Sequence, residues 1–253
     1  RHFIFIYPSL VALAILGWVT LLQLIKNVKA QLVVMTIIGL TFFKPGIWSI
    51  VNHPYQYLYF NEIAGGVKGA NGVYELDYWN QSPRAAFEWL VKNKPEILKG
   101  DMRVSSNNIQ EALKTFVPEG KDVMYKWTRE YEWANDDWKY AIWTTRTLSK
   151  NQILDGYWPP KGTIHEIKVD GVTIAAVVKS VNNYSYLGKQ YLNMKRGDSA
   201  LYFYEKAIAY NPKEEEFVRG AGNACYELLK TDTINPMAYF DKAIRYYTKA
   251  IEL

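Results

Sequence analysis

The sequence is poor in the residues that build metal centres and disulfide frameworks. Cys225 is the only cysteine among 253 residues, which excludes a disulfide within one chain and any metal cluster held by cysteines. The three histidines, His2, His53 and His165, are far apart and lack the close spacings of metal-binding histidines. We therefore expect no metal site and no cofactor.

The chain also lacks the concentrated basic surface of a nucleic-acid binder. Its formal net charge is +5, from 30 lysines and arginines against 25 aspartates and glutamates. The basic residues are scattered along the chain, whereas nucleic-acid binders cluster them on one face or along one helix. We therefore expect no nucleic-acid partner.

Charged residues are absent from positions 3–25, FIFIYPSLVALAILGWVTLLQLI. About 20 apolar residues are enough to cross the hydrocarbon core of a bilayer, so this run predicts a transmembrane helix. The alternative is a helix buried in the core of a soluble protein. A second apolar run reaches spanning length over 30–51 if the helix continues, with a kink, through Pro45. The sequence thus predicts two membrane spans within residues 1–52.

The residues between the two spans predict their orientation. Lys26 and Lys29 lie in this short linker, and lysines in short loops mark the cytoplasmic side of a membrane. The second span would then deliver everything after about residue 52 to the outside. Residues 53–82 begin with aromatic side chains of the kind that gather at a membrane interface and continue as a glycine-rich stretch. We interpret this segment as an aromatic collar where the chain leaves the bilayer.

Residues 83–180 predict a small external α/β sandwich domain. Ser82 and Pro83 are typical of a helix start, with Ser82 as the N-cap. Predicted strands follow at 102–106, 122–127 and 138–144, with a predicted helix at 107–117. Two further strands flank the pair Asp170-Gly171, which is a strong hairpin signal. The predicted fold class is therefore an α+β multi-domain membrane protein.

Residues 181–253 match the tetratricopeptide repeat, an all-α unit of about 34 residues. The matching positions of the first unit are Tyr184, Leu187, Gly188, Tyr191, Ala200, Tyr204, Ala207 and Pro212. The second unit matches at Ala221, Gly222 and Cys225 and, after an insertion of about nine residues, at Ala243, Tyr247 and Ala250. We expect helices at 182–194 and 198–210 in the first unit, with Asp198 as the N-cap of the second helix.

The segments RHFIFIYP and HPYQYLYFNEIAGGVKGANGVYELDYW resemble the C-terminal region of bacterial membrane glycosyltransferases of family 39. These multi-pass enzymes are related to protein O-mannosyltransferases and belong to the C-type superfamily. The resemblance covers about residues 1–95, and it implies sugar transfer from a polyprenyl-phosphate donor on the outer, periplasmic face of the inner membrane. It places the catalytic acid in a first external loop that this sequence does not contain. We therefore expect residues 1–253 to be part of a longer protein, with its catalytic residues unknown.

The resemblance also suggests substrate-binding residues. It places Arg1 near the lipid phosphate, since a guanidinium can donate two hydrogen bonds to one phosphate. An interfacial anchor is the alternative role for this arginine. The residues that would shape the sugar or acceptor entrance are His53, Tyr55, Tyr59 and Asn61, unless they only pack and anchor the collar.

Glu75 and Asp77 form a carboxylate pair beside aromatic residues, a composition that suits sugar binding. Two residues apart on a strand, they would face the same side and could orient a substrate. The alternative is that they hold backbone amides of the glycine-rich turn.

The predicted repeats suggest a protein partner. The side chains expected on the free face of the first repeat helix are uncharged and polar or amphipathic, and they are Asn183, Tyr186, Gln190 and Asn193. Such side chains suit an extended peptide from an acceptor or assembly protein. The competing hypothesis is a non-enzymatic, membrane-anchored tetratricopeptide adaptor.

Overall fold

The computed structural model describes residues 6–108, 113–128, 132, 136–231 and 236–253. The chain forms two compact units, Arg1–Tyr59 and Phe60–Leu253. The first unit contains two long helices, α1 (Tyr7–Leu24) and α2 (Val28–Val51). Both are long and apolar enough to cross a membrane, which agrees with the predicted spans.

Asn27 determines where the second helix begins. Its side-chain oxygen accepts hydrogen bonds from the backbone N–H of Lys29 at 2.9 Å and of Ala30 at 3.3 Å. This N-cap starts α2 at Val28, two residues before the predicted start of the second span. The helix then continues through Pro45 to Val51.

The second unit begins with tight turns. A 3₁₀ helix, Glu62–Ala64, ends at Gly65, where φ is 75°, and α3 (Gly66–Ala70) follows at once. A left-handed backbone costs glycine little, because glycine has no Cβ. At Gly69 a Cβ would lie 2.1 Å from the carbonyl oxygen of Ala64, so the turn is also too tight for a side chain there. Gly65 and Gly69 therefore allow tight turns at the start of this unit.

A mixed five-stranded sheet forms the centre of this unit. Helix α4 (Gln81–Asn93) precedes it, and the α+β class predicted from the sequence is observed. The strands are β1 (Lys99–Ser106), β2 (Asp122–Trp127), β3 (Tyr140–Thr144), β4 (Thr163–Val169) and β5 (Val172–Lys179). Their order is β2-β1-β3-β5-β4, with β1 parallel to β2 and β3, and β5 antiparallel to β3 and β4.

The β4–β5 hairpin confirms its sequence signal. Asp170 and Gly171 both have positive φ values, 49° and 76°, as a two-residue hairpin turn of this type requires. The predicted helix at 107–117 lies in part outside the described residues, so it remains a prediction.

Both faces of the sheet are covered, because alternate residues of β3 and β5 point to opposite sides. On one side, Ile142 and Val177 pack with Phe87 of α4. On the other side, Trp143 and Val178 belong to a cluster with Trp158, which follows the short helix α5 (Lys150–Leu154). The sheet therefore has two apolar layers, and β3 and most of β5 are buried.

Four consecutive helices complete the chain. They are α6 (Tyr184–Asn193), α7 (Gly197–Tyr210), α8 (Glu215–Thr231) and α9 (Pro236–Glu252). Each of the last three packs on the helix before it. The start of α7 differs from prediction: Arg196 is the N-cap and Asp198 lies in the first turn, so Asp198 is not the cap.

The same glycine–tyrosine contact occurs twice among these helices. A Cβ on Gly188 of α6 would lie 2.9 Å from the Tyr204 ring of α7. A Cβ on Gly222 of α8 would lie 2.8 Å from the Tyr247 ring of α9. The two helix pairs are therefore built on the same close approach.

The nine-residue insertion lengthens the second pair. Relative to α6 and α7, helix α8 ends four residues later and helix α9 begins four residues earlier. Four residues are about one helical turn, so both facing helices gain a turn and stay side by side.

Candidate functional site

The predicted entrance residues of the first unit make local contacts. Arg1 lies outside the described residues. His53 Nδ1 is 2.6 Å from Gln56 Nε2, and the Tyr59 ring packs edge-to-face on Trp48 with centroids 5.4 Å apart. Tyr55 is buried. These contacts account for an aromatic cluster at the end of α2, and the substrate role of its members remains a prediction.

Asn61, the next predicted residue, begins the turns of the second unit. Its side-chain oxygen accepts a hydrogen bond from the backbone N–H of Ala64 at 3.1 Å. It is the N-cap of the 3₁₀ helix Glu62–Ala64, which is a structural role.

Asp77 holds the start of helix α4. Its carboxylate accepts hydrogen bonds from the backbone N–H of Gln81 at 2.9 Å and of Ser82 at 3.0 Å, and from the Ser82 hydroxyl. The residue is 1% exposed, and its own φ is 52°. A buried carboxylate at this position satisfies the free N–H groups of the first turn and complements the helix dipole. The predicted N-cap, Ser82, instead lies inside the first turn and donates to Asp77.

Glu75 points to a different partner. Its carboxylate forms an ion pair with Arg146 at 2.7 Å, and the Arg146 guanidinium lies 5.4 Å from the centre of the Tyr78 ring. Neither Glu75 nor Asp77 lies on a strand, so the proposed common face of a strand is not observed. The two carboxylates thus have separate roles, one at the surface and one in the core.

A polar cleft lies beside Glu75, and we call it the collar cleft. It is lined by Asn71, Gly72, Val73, Tyr74, Glu75, Leu76, Thr145, Arg146, Leu148 and Ile153. The space within it that water-sized molecules can reach is about 170 Å³. It therefore has room for several water molecules or for part of a small ligand.

Two polar atoms in the lining of the collar cleft stand out. Asn71 Oδ1 and Thr145 Oγ1 are buried and have no hydrogen-bond partner within the part of the chain that the structure describes. A buried polar atom without a partner carries a free-energy cost of about 1–3 kcal/mol. Water or a hydroxylated ligand that reached these atoms would remove that cost, so the collar cleft is a candidate for a small-molecule site.

Sequence reasoning did not identify Asn71, Thr145 or Arg146 as site residues. Thr145 and Arg146 follow strand β3 and lie about 70 residues from Glu75 in the chain. No local pattern marks Thr145 and Arg146, because their proximity to Glu75 depends on how residues 71–76 pack against the end of β3.

A second cleft lies between the sheet and the helices, and we call it the helix cleft. Its lining includes Trp138, Trp143, Lys161, Asn183, Ser185 and Tyr210. Lys161 Nζ donates a hydrogen bond to the carbonyl oxygen of Tyr210. It also lies 4.3 Å from the centre of the Tyr210 ring. Burial raises the pKa of Tyr210 above its ordinary value.

The helices are tied to the sheet beside this cleft. The Tyr157 hydroxyl donates to both carboxylate oxygens of Glu214, at 2.9 and 3.1 Å. Lys213 Nζ donates to the carbonyl oxygen of Asp155 at 3.1 Å. These contacts join the helices and the sheet into one unit.

The four predicted partner residues are accessible on helix α6. Asn183 and Asn193 are exposed, and Tyr186 and Gln190 are half-buried. Of the four, Asn183 is the N-cap of α6 and also lines the helix cleft. A partner that binds along α6 would therefore reach this cleft at one end.

Comparison with known proteins identifies no family for this chain. The chain matches no protein-family model, and no curated protein and no solved structure is significantly similar to it.

Proposed function

We propose that residues 1–253 form the C-terminal, non-catalytic part of a membrane glycosyltransferase that uses a polyprenyl-phosphate-linked sugar. The observation that carries this proposal is the collar cleft, where Asn71 Oδ1 and Thr145 Oγ1 lack protein partners beside the Glu75–Arg146 pair. Sugar hydroxyls can donate to Asn71 and exchange hydrogen bonds with Thr145 and Glu75. The sequence segment that resembles family 39 enzymes also supplies six of the ten residues of this lining.

Within this proposal Glu75 and Asp77 have different roles. Asp77 is a supporting residue, because its buried carboxylate already accepts bonds from Gln81 and Ser82. Glu75 orients the sugar from the surface of the cleft. Catalysis belongs to an acid elsewhere in the enzyme, as the resemblance implies.

A binding experiment tests the sugar site. Residues 1–253 in lipid nanodiscs should bind a polyprenyl-phosphate-linked hexose without transferring the sugar. Thr145→Val should weaken binding about threefold to tenfold, because one hydrogen bond contributes about 0.5–1.5 kcal/mol. Thr231→Val, at an exposed threonine that ends α8, is the control and should bind like the wild type. Sugar transfer by this protein alone, or unchanged binding by Thr145→Val, would contradict the proposal.

The proposed location is the inner membrane of a bacterium, with α1 and α2 as two of several spans. Lys26 and Lys29 support a cytoplasmic turn, and the second unit would then lie in the periplasm. Single cysteines introduced at positions 28 and 150 of a Cys225→Ser variant test this orientation in intact cells. An impermeant thiol reagent should label position 150 and spare position 28, and the reverse pattern would exclude it.

The proposed role of α6–α9 is that of a tetratricopeptide pair that recruits the acceptor protein. The repeated contact of glycine with tyrosine, at Gly188 and Tyr204 and again at Gly222 and Tyr247, supports this class. Asn183, Tyr186, Gln190 and Asn193 would contact an extended peptide, because they are accessible and uncharged.

A double substitution tests the recruiting face. Tyr186→Ala with Gln190→Ala should keep the helical circular dichroism of the protein and reduce recovery of the acceptor in a pull-down. The matched control replaces Tyr202 and Lys206, which are exposed on α7, with alanine. Equal recovery by the two double variants would show that the face of α6 is not the binding surface.

The second candidate is a membrane-anchored adaptor without a sugar site. It is favoured by the accessible face of α6 and by the contacts that already occupy Glu75 and Asp77. The two candidates differ in one measurement: an adaptor binds the acceptor protein but leaves the polyprenyl-phosphate sugar unbound.

A further inference from the structure

Two contacts fix the guanidinium of Arg146 at the collar cleft. Its Nε atom lies 2.7 Å from a carboxylate oxygen of Glu75, and its Cζ atom lies 5.4 Å from the centre of the Tyr78 ring. In the part of the chain that the structure describes, its two Nη atoms donate no hydrogen bond to the protein. A guanidinium has five N–H donors, so the four on the Nη atoms are available to a ligand.

Lys150 brings a second positive charge to this cleft. Gly72 belongs to the lining, and a Cβ on it would lie 3.5 Å from Lys150 Cγ, so the lysine side chain packs against the lining. Lys150 is exposed and forms no ion pair with a described residue. Its ammonium group is therefore free to bind an anion.

The charges at the collar cleft do not balance. Glu75 and Arg146 are the only charged residues of the lining, and they form an ion pair. Lys150 adds one positive charge beside them. Thr145, in contrast, is 5% exposed, and its hydroxyl has no partner among the described residues. The cleft thus combines an unpartnered buried hydroxyl with cationic donors at its surface.

We propose that Arg146 and Lys150 form a phosphate subsite, so that the collar cleft takes a sugar with a phosphate ester. This inference rests on the proposed sugar site and adds the groups that hold the phosphate. An arginine can donate two parallel hydrogen bonds to one phosphate, and a lysine adds a compact positive charge. The sugar hydroxyls would reach Asn71 and Thr145. Both a polyprenyl-phosphate-linked sugar and a soluble sugar phosphate carry such an ester.

Glu75 has two opposite effects on this subsite. Its ion pair with Arg146 Nε restricts the guanidinium, which lowers the entropy that is lost when a phosphate binds. Its negative charge, however, repels the phosphate. The Glu75 side chain is 41% exposed, so this repulsion is weak. Glu75→Gln should therefore raise the affinity for inorganic phosphate about twofold to fivefold, because glutamine still accepts a hydrogen bond from Nε.

Paired ligands test the phosphate subsite. Calorimetry with residues 1–253 in lipid nanodiscs compares the 1-phosphates of glucose, mannose and galactose with the methyl glycosides of the same sugars. For the hexose that binds, the 1-phosphate should bind at least about tenfold more tightly than the methyl glycoside, because hydrogen bonds to charged groups are stronger than neutral ones. Inorganic phosphate measures the subsite without the sugar.

Substitutions assign this preference to individual residues. Arg146→Gln should reduce the ratio of the two affinities at least about fivefold, and Lys150→Gln should reduce it about twofold to fivefold. Arg245→Gln and Lys189→Gln, at exposed residues of α9 and α6, are the matched controls and should leave the ratio unchanged. Thr145→Val should weaken both ligands by the same factor. Circular dichroism checks that each variant remains folded.

The sugar site and the phosphate subsite fail in different ways. A wild-type ratio near one, or a ratio that Arg146→Gln does not change, would exclude the phosphate subsite even if the sugar binds. A ratio that depends on Arg146, together with full binding by Thr145→Val, would exclude the sugar site and keep the subsite.

A polyprenyl-phosphate-linked hexose in the nanodisc distinguishes the two sources of the phosphate ester. If Arg146→Gln weakens this lipid as well as the soluble 1-phosphate, the ligand is the lipid-linked donor. If only the soluble 1-phosphate responds, the subsite binds a soluble sugar phosphate. If neither the lipid nor any soluble 1-phosphate binds, the phosphate subsite is excluded.

Discussion

The two helix pairs share one contact but differ in how tightly it is closed. In the first pair the Tyr204 ring lies between Gly188 and Gly220, where a Cβ would be 2.9 and 2.3 Å away, and the residue is 2% exposed. In the second pair a Cβ on Gly222 would lie 2.8 Å from the Tyr247 ring, and Tyr247 is half-buried. The difference shows that the same residue pattern gives a closed core only where a third helix is present.

Helix α8 also gives Tyr204 surroundings that differ from those of Tyr247. Tyr204 faces Glu216 and Arg219 of α8, and burial is the main cause that raises its pKa. Tyr247 instead donates its hydroxyl hydrogen bond to Asn223 Oδ1 at 2.8 Å, which keeps its polar end at the edge of the helices. The first pair is thus the interior of the helical region, and the second pair is its periphery.

The largest expected loss of stability comes from removing the Tyr204 ring from its contact with Gly188 and Gly220. Tyr204→Ala should destabilise the helical region by about 3–5 kcal/mol, because it removes a fully buried aromatic ring from between two helices. Tyr247→Ala should cost about half as much, since its ring is half-buried. Urea unfolding of the full chain, followed by circular dichroism, measures both. Equal losses would show that the two pairs are packed alike.

The next largest loss of stability should come from adding a side chain at Gly188, where the Tyr204 ring leaves no room. Gly188→Leu should cost about 3 kcal/mol and unfold the first pair, because the side chain would meet the Tyr204 ring. Lys189→Leu, one residue away and exposed, is the matched control and should change stability by less than about 0.5 kcal/mol. A Gly188→Leu protein as stable as this control would rule out the close approach of α6 and α7.

Cys225 reports on the packing of α8, which lies between α7 and α9. It is fully buried on α8, and burial raises the pKa of its thiol to about 11, so a thiol reagent at pH 8 should label it slowly. Gly222→Leu should accelerate this labelling about tenfold or more, because a cost of about 1–2 kcal/mol opens α8 from α9 more often. Cys225 is the only thiol in the chain, so the rate has one source. An unchanged rate would mean that Gly222 is not needed for packing.

The smallest effect is expected at the surface link between α7 and α9. Glu205 Oε1 accepts a hydrogen bond from the Tyr246 hydroxyl at 2.9 Å and lies 3.4 Å from Lys242 Nζ. The Glu205 side chain is 45% exposed, so Glu205→Gln should cost no more than about 0.5 kcal/mol. The loss should shrink in high salt. A loss above about 2 kcal/mol would show that this link contributes as much as buried packing to the stability of the helical region.

Several elements could be predicted because their causes are local in the chain. The uncharged run before Lys26 and the length of the second run indicate two long apolar helices. Asp170-Gly171 specifies the β4–β5 turn, because these residue types accept positive φ values. The repeat spacing also predicted that Gly188 would approach the helix of Tyr204.

The order and pairing of the strands could not be read from the same patterns. Strand β3 lies between β1 and β5, and its partners come from before and after it in the chain. Alternation of apolar residues shows which residues face a core, but both faces of β3 are buried. Nothing local then distinguishes one neighbour from another.

The sequence by itself determined the two apolar helices, the hairpin turn and the periodic helices at the end, because each depends on residues within one turn or one strand. Tertiary structure alone decided that Thr145 and Arg146 complete the collar cleft. It also decided that Leu201 is covered while Ile244 is exposed, although the two occupy equivalent positions. The physical reason is that burial and hydrogen bonding depend on which remote segment packs against a residue, and local sequence patterns do not specify that segment.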